Sequence, residues 1–166
     1  MDLDLLPLGW LHFITSLIAV GIGAVILLRP KGTPTHRLWG RLYALAGLAT
    51  SITALGIYRL GGFFFAHWFG IAALIVIVLG VMAAHFKFPA KGWMQLHLTC
   101  MLLSFYILIG GGVNEMFLRV TFLRRLAPSF DSPIIGKTHF VLMALFAILI
   151  AYFNVASLMR GRSARA

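Results

Sequence analysis

Five apolar runs, each about 20 residues or longer, constrain this chain more than any other feature. They cover roughly residues 8–28, 34–58, 63–86, 92–111 and 137–158, and the connections between them are too short to hold a soluble domain. In a bilayer a backbone polar group finds no water, so each run must pair its own N–H and C=O groups as a helix. Gly61-Gly62 and the stretch Pro89-Ala90-Lys91-Gly92 mark turns. Short connections make neighbours antiparallel. The expected fold is therefore an all-α integral membrane protein in one domain, residues 1–166. It comprises an up-down four-helix transmembrane bundle, an interfacial amphipathic helix and a fifth transmembrane helix. Only 11% of residues are charged, against about 25% in soluble domains.

The net charge of +10 does not signal nucleic acid, because the basic residues lie in short connections between spans. Arg29, Lys31, Arg37, Arg41, Lys87, Lys91, Arg160, Arg162 and Arg165 fall on one side. Arg59, Arg119, Arg124, Arg125 and Lys137 fall on the other, with the four acids Asp2, Asp4, Glu115 and Asp131. The first side is expected to be cytoplasmic, in a bacterial inner membrane, with the N-terminus outside and the C-terminus inside. The N-terminal stretch has no basic n-region, so the first run reads as a retained helix. Between spans four and five, Val113, Met116, Phe117, Val120, Leu123 and Leu126 recur at helical spacing with Arg119, Arg124 and Arg125 between them. That pattern predicts an amphipathic helix over about 113–126 in the outer interface.

The densest polar stretch, Lys31-Gly-Thr-Pro-Thr-His-Arg-Leu-Trp-Gly-Arg41, ends the first run and opens the second. Thr33 suits an N-cap and Pro34 the first helical position, which puts His36 and Arg37 in the first turn. Ionisable residues inside spans are rare and usually face the bundle interior. Spans one and three each place a histidine near the outer end, His12 and His67; spans two and four each place one near the inner end, His36 and His97. In an up-down bundle those helices are diagonal partners. Two diagonal imidazoles can clamp a macrocycle, so one or two b-type haems are expected, ligated by His12 with His67 and by His36 with His97. Arg37 and Arg41 are the propionate partners in this reading. Gly40 and Gly70 would leave room for a porphyrin, although glycines also let membrane helices pack closely. His139 is an alternative outer ligand or a proton-linked group near a quinone, and Met101 an alternative axial ligand. His85 reads as interfacial. Cys100, the only cysteine, reads as packing.

The run from Arg29 to Arg41, with Leu11-His12, His36-Arg37, Gly40-Arg41, His67 and His97 followed by Met101, resembles the small bacterial membrane-protein family of domain of unknown function 2306. The resemblance covers roughly residues 8–112. That family looks like a distant relative of the two-haem, four-helix membrane cytochromes b. The relation implies His12, His36, His67 and His97 as axial ligands and gives His139 no role.

Three functions stay open. The first is electron transfer through b-type haem between a quinol or soluble donor and an acceptor. The second is a cofactor-free accessory subunit of a larger membrane complex, in contact with lipid and other subunits. The third is a zinc site of His12, His67 and His139 with hydrolase-like chemistry and Glu115 as general base.

Overall fold

The computed structural model describes residues 7–58, 62–129 and 131–163, the side chains of 160–163 excepted. Asp2, Asp4, Arg59 and Arg165, and the side chains of Arg160 and Arg162, therefore lie outside the described residues. Among the described residues every element is a helix: α1 (Pro7–Leu28), α2 (Pro34–Leu55), α3 (Phe65–Phe86), α4 (Trp93–Arg119), α5 (Thr121–Leu126) and α6 (Pro133–Ser163). Among the described residues, α1, α3, α4 and Pro133–Met159 of α6 are long and apolar enough to cross a membrane. α2 is as long as α1, 22 residues, but less apolar.

The expected start of α2 holds in detail. The Thr33 hydroxyl accepts from the His36 N–H at 3.0 Å, and Pro34 takes the first turn. Gly32 and Gly92 sit at φ 81° and 98°, where a Cβ would be strained, and each precedes the start of a long helix. The interfacial helix expected over 113–126 needs correcting. Its first half is the end of α4, which continues through Gly110, Gly111 and Gly112 to Arg119. Val120 then breaks the helix with extended backbone, and only the six residues of α5 follow. Glycines weaken a helix but do not stop one, and the Arg119–Glu115 ion pair, one turn apart, adds support to the extended end of α4.

Contacts divide the chain into two compact units, residues 2–78 and 79–166. In the first, α1 and α2 pack antiparallel. Leu8 lies against Gly56, and the hydroxyl oxygens of Thr15 and Thr50 stand 3.1 Å apart. α3 comes close to α2 at two glycines: a Cβ on Gly47 would stand 2.8 Å from Ile77 Cδ1, and one on Gly70 would meet Leu55, Ala54 and Ser51 at 3.4–3.5 Å. Three polar side chains of α2, Thr50, Ser51 and Thr53, are buried. Each returns its hydroxyl to a carbonyl one turn back: Ala46 at 2.9 Å, Gly47 at 2.9 Å and Ala49 at 2.7 Å.

In the second unit α4 and α6 are antiparallel, joined by polar rungs with aromatic packing between them. Gln95 meets Ser157 at 3.4 Å, Asn154 donates to Thr99 at 3.1 Å, and His139 meets Asn114 at 2.8 Å. Phe105 and Tyr106 pack on Phe146 between those rungs. Near its end α3 meets α4 at Gly80, where a Cβ would stand 2.8 Å from Met101 Sδ and 3.0 Å from Cys100 Cβ.

Candidate functional site: imidazoles held by backbone carbonyls

His12 lies in the second turn of α1, half-buried, with Nδ1 3.0 Å from the Thr50 carbonyl and 3.2 Å from Thr53 Oγ1 of α2. A carbonyl oxygen only accepts, so Nδ1 carries the proton and Nε2 of the neutral ring keeps the lone pair. His97, one turn into α4, repeats this pattern with Nδ1 2.9 Å from the Gly80 carbonyl. Imidazoles that bind metals are oriented in this way, by an Nδ1–H bond to a backbone carbonyl.

His67 is the most enclosed of the set, 1% exposed. It sits in the first turn of α3, and its ring stacks between Phe63 (4.7 Å, 26°) and Tyr58 (4.9 Å, 30°), with Phe64 edge-on. Nδ1 lies 3.2 Å from the Phe64 N–H and 3.3 Å from the Phe64 carbonyl. Two tautomers therefore fit the same ring position. If Nδ1 accepts from the Phe64 N–H, Nε2 bears a proton; if Nδ1 donates to the Phe64 carbonyl, Nε2 offers a lone pair. In either case Nε2 is buried and has no hydrogen-bond partner among the described residues. His12 meets α2 at Thr50 and Thr53, whereas His67 meets the connection that follows α2, at Tyr58, Phe63 and Phe64.

The remaining candidates sort differently. His139 uses the opposite nitrogen: Nε2 meets Asn114 Oδ1 at 2.8 Å, so Nε2 is the donor and is not free to ligate. Among the described residues no group of three or more His, Cys, Asp or Glu side chains is placed to hold a metal ion. Of the zinc set of His12, His67 and His139, His139 spends its Nε2 on an amide. His36 lines a cleft between α1 and α2 with Arg29 and Trp39. Arg37 and Arg41 are exposed, as is His85. Gly70 is a packing glycine, while a Cβ on Gly40 would meet nothing within 4 Å. Met101 packs its sulfur against Gly80.

A family model described as predicted membrane protein (DUF2306) matches residues 9–135. The chain belongs to this family. The match runs past the residues that carried the sequence resemblance, through α5 to the first residues of α6, so the DUF2306 pattern includes the extended α4 and the α5 turn. No curated protein and no solved structure matches the chain.

Sequence reasoning found the histidines but not what holds them. The holders are main-chain carbonyls of Thr50, Phe64 and Gly80, and a carbonyl has no signature in the sequence. The stacking of Phe63 on His67 left a faint signal, the aromatic triplet Phe63-Phe64-Phe65 beside the histidine. Asn114, the partner of His139, left none.

Proposed function

We propose that this DUF2306 protein is a membrane electron carrier that binds b-type haem through its span histidines. The observation that carries the reading is shared by His12, His67 and His97. Each keeps Nδ1 within hydrogen-bond distance of a backbone carbonyl, at 3.0, 3.3 and 2.9 Å, and donation from Nδ1 to a carbonyl is how metal-binding imidazoles are oriented. The buried, unpartnered Nε2 of His67 supports it independently, because an unsatisfied buried nitrogen costs about 1–3 kcal/mol unless something binds it. The donor chemistry of these residues therefore fits an iron porphyrin.

In this reading His12 and His67 are the outer-leaflet ligands, and His36 and His97 are the inner ones by their positions near the starts of α2 and α4. A bound haem would supply a one-electron iron couple. The chain's own residues fix the tautomers of His12 and His97, surround His67 with aromatic rings and exclude water from it. Arg37 and Arg41 are the proposed propionate partners. A quinone as donor or acceptor, an inner-membrane location and an outside N-terminus belong to the same proposal; the acid-free, basic connection at residues 29–41 supports the orientation.

The test is a reduced-minus-oxidised optical spectrum of the protein purified after expression with haem supplied. A Soret band with b-type α bands is expected. His12→Ala or His67→Ala should remove one haem's absorbance, and His36→Ala or His97→Ala the other's. A wild-type protein with no Soret band, or histidine variants that all keep the full spectrum, would refute the reading.

A further inference from the structure

The end of α1 and the start of α2 enclose a cleft of about 220 Å³, lined by Val25, Ile26, Arg29, Thr35, His36 and Trp39 among others. This is smaller than the roughly 300–1,000 Å³ of sites for drug-sized molecules, so it suits a head group rather than a whole cofactor. Its lining is part apolar (Val25, Ile26 and Trp39) and part polar and cationic (Arg29, Thr35 and His36). No aspartate or glutamate occurs anywhere between Asp4 and Glu115, so no carboxylate of the first unit's described residues can neutralise Arg29. The carbonyls at the end of α1 would normally give this end a negative field. Lys31 cancels it: its ammonium donates to the carbonyls of Ile26, Leu27 and Arg29 at 2.7, 2.8 and 2.7 Å. Of the first-turn amides of α2, Pro34 has none, His36 is capped by the Thr33 hydroxyl and Arg37 by the Thr33 carbonyl. The Thr35 N–H remains to donate.

We propose that this cleft binds the phosphate head group of an anionic phospholipid. Arg29 and the Thr35 N–H face the phosphate, and Val25, Ile26 and Trp39 line the path of the glycerol and upper acyl chain. Basic clefts between spans at the membrane surface recognise anionic head groups in this way. The cleft shares His36 with the proposed inner haem site, so the test substitutes Arg29, which is not among the proposed haem residues.

The test uses the full chain in nanodiscs of equimolar phosphatidylglycerol and phosphatidylcholine, with retained lipid counted by native mass spectrometry. The wild type should retain phosphatidylglycerol preferentially. Arg29→Gln should lower that preference about fivefold, the worth of one interfacial cation, and leave any haem spectrum unchanged. Arg29→Lys, and Lys87→Gln in the second unit, should keep the preference. Equal retention of the two lipids, or equal losses in Arg29→Gln and Lys87→Gln, would overturn the proposal. So would excess inorganic phosphate that abolishes the preference, because phosphate itself would then be the ligand. If Arg29→Gln does not elute as a folded protein, fluorescence of the wild type decides. The part of the emission missing from Trp39→Phe should be quenched more by phosphatidylglycerol brominated on its acyl chain than by brominated phosphatidylcholine, and equal quenching counts against the site.

Discussion

His67 joins two roles that substitution can separate. Its ring fills the space between Phe63 and Tyr58, at centroid distances of 4.7 and 4.9 Å. Its Nε2 is buried with no partner among the described residues. In haem-free protein, His67→Ala empties the aromatic sandwich, a loss of about 3 kcal/mol for a buried ring. His67→Phe keeps a ring there. It removes the stranded nitrogen, a gain of about 1–3 kcal/mol, and leaves the Phe64 N–H without its acceptor, a loss of similar size. The two nearly cancel, so His67→Phe should fall within about 1 kcal/mol of the wild type. For a chain of this length each kcal/mol moves the melting temperature by about 2–4 °C. Heating haem-free protein in detergent and following the monodisperse fraction by size exclusion should show a drop of roughly 6–12 °C for His67→Ala and under about 4 °C for His67→Phe. Both variants should lose the outer haem's absorbance. If His67→Phe melts as low as His67→Ala, the polar contacts with Phe64 hold the ring and the nitrogen is not a spare ligand. If His67→Phe keeps the full haem spectrum, His67 is not a ligand.

Gly80→Ala should destabilise the second unit by about 1–3 kcal/mol, because the Cys100 Cβ at 3.0 Å cannot swing away as the Met101 sulfur can; Gly40→Ala, facing open space, should be neutral or stabilising, and equal melting temperatures for the two would refute the packing argument. Lys31→Met should cost about 1 kcal/mol through the uncapped end of α1, read as a lower melting temperature that Lys31→Arg largely restores. A double-mutant cycle of Asn114→Ala and His139→Ala should give a coupling near 0.6 kcal/mol, typical of a hydrogen bond between membrane helices; zero coupling would mean that the 2.8 Å contact adds nothing to helix pairing.

The helices were legible because the bilayer demands long apolar runs, and the start of α2 because Thr33 and Pro34 cap by local chemistry alone. Boundaries set by neither were misread. Nothing in the sequence between Gly110 and Arg119 separates a continuing α4 from a new interfacial helix, since the amphipathic spacing suits both. The histidines were legible as rare polar groups in spans, but their roles were not. His139 and His67 look alike in sequence, each a few residues into a helix. They differ because one meets a side-chain amide across the helix pair and the other meets the main chain of its own preceding turn. Such tertiary partners are invisible to spacing.

α2 is the long helix whose composition least resembles that of a membrane span. Its polar residues lower its hydropathy below that of the other long helices, yet Thr50, Ser51 and Thr53 are buried and hydrogen-bonded to carbonyls of their own helix. The surface α2 leaves exposed includes Leu38, Leu42, Leu45 and Ile52, which is what lipid requires. Polar groups that satisfy themselves and face other helices cost little in a bilayer, so the hydroxyls of α2 do not by themselves bar it from an apolar surrounding. Its 50–55 segment also does the positioning in the first unit. The Thr50 carbonyl and Thr53 hydroxyl orient His12, while Ser51, Ala54 and Leu55 receive α3 at Gly70, one turn after His67. A hydroxyl that bonds back to its own helix leaves a groove narrow enough for close approach, which a leucine in the same place would fill. The residues that make α2 a poor membrane helix by composition are therefore the ones that let it hold α1 and α3 against it.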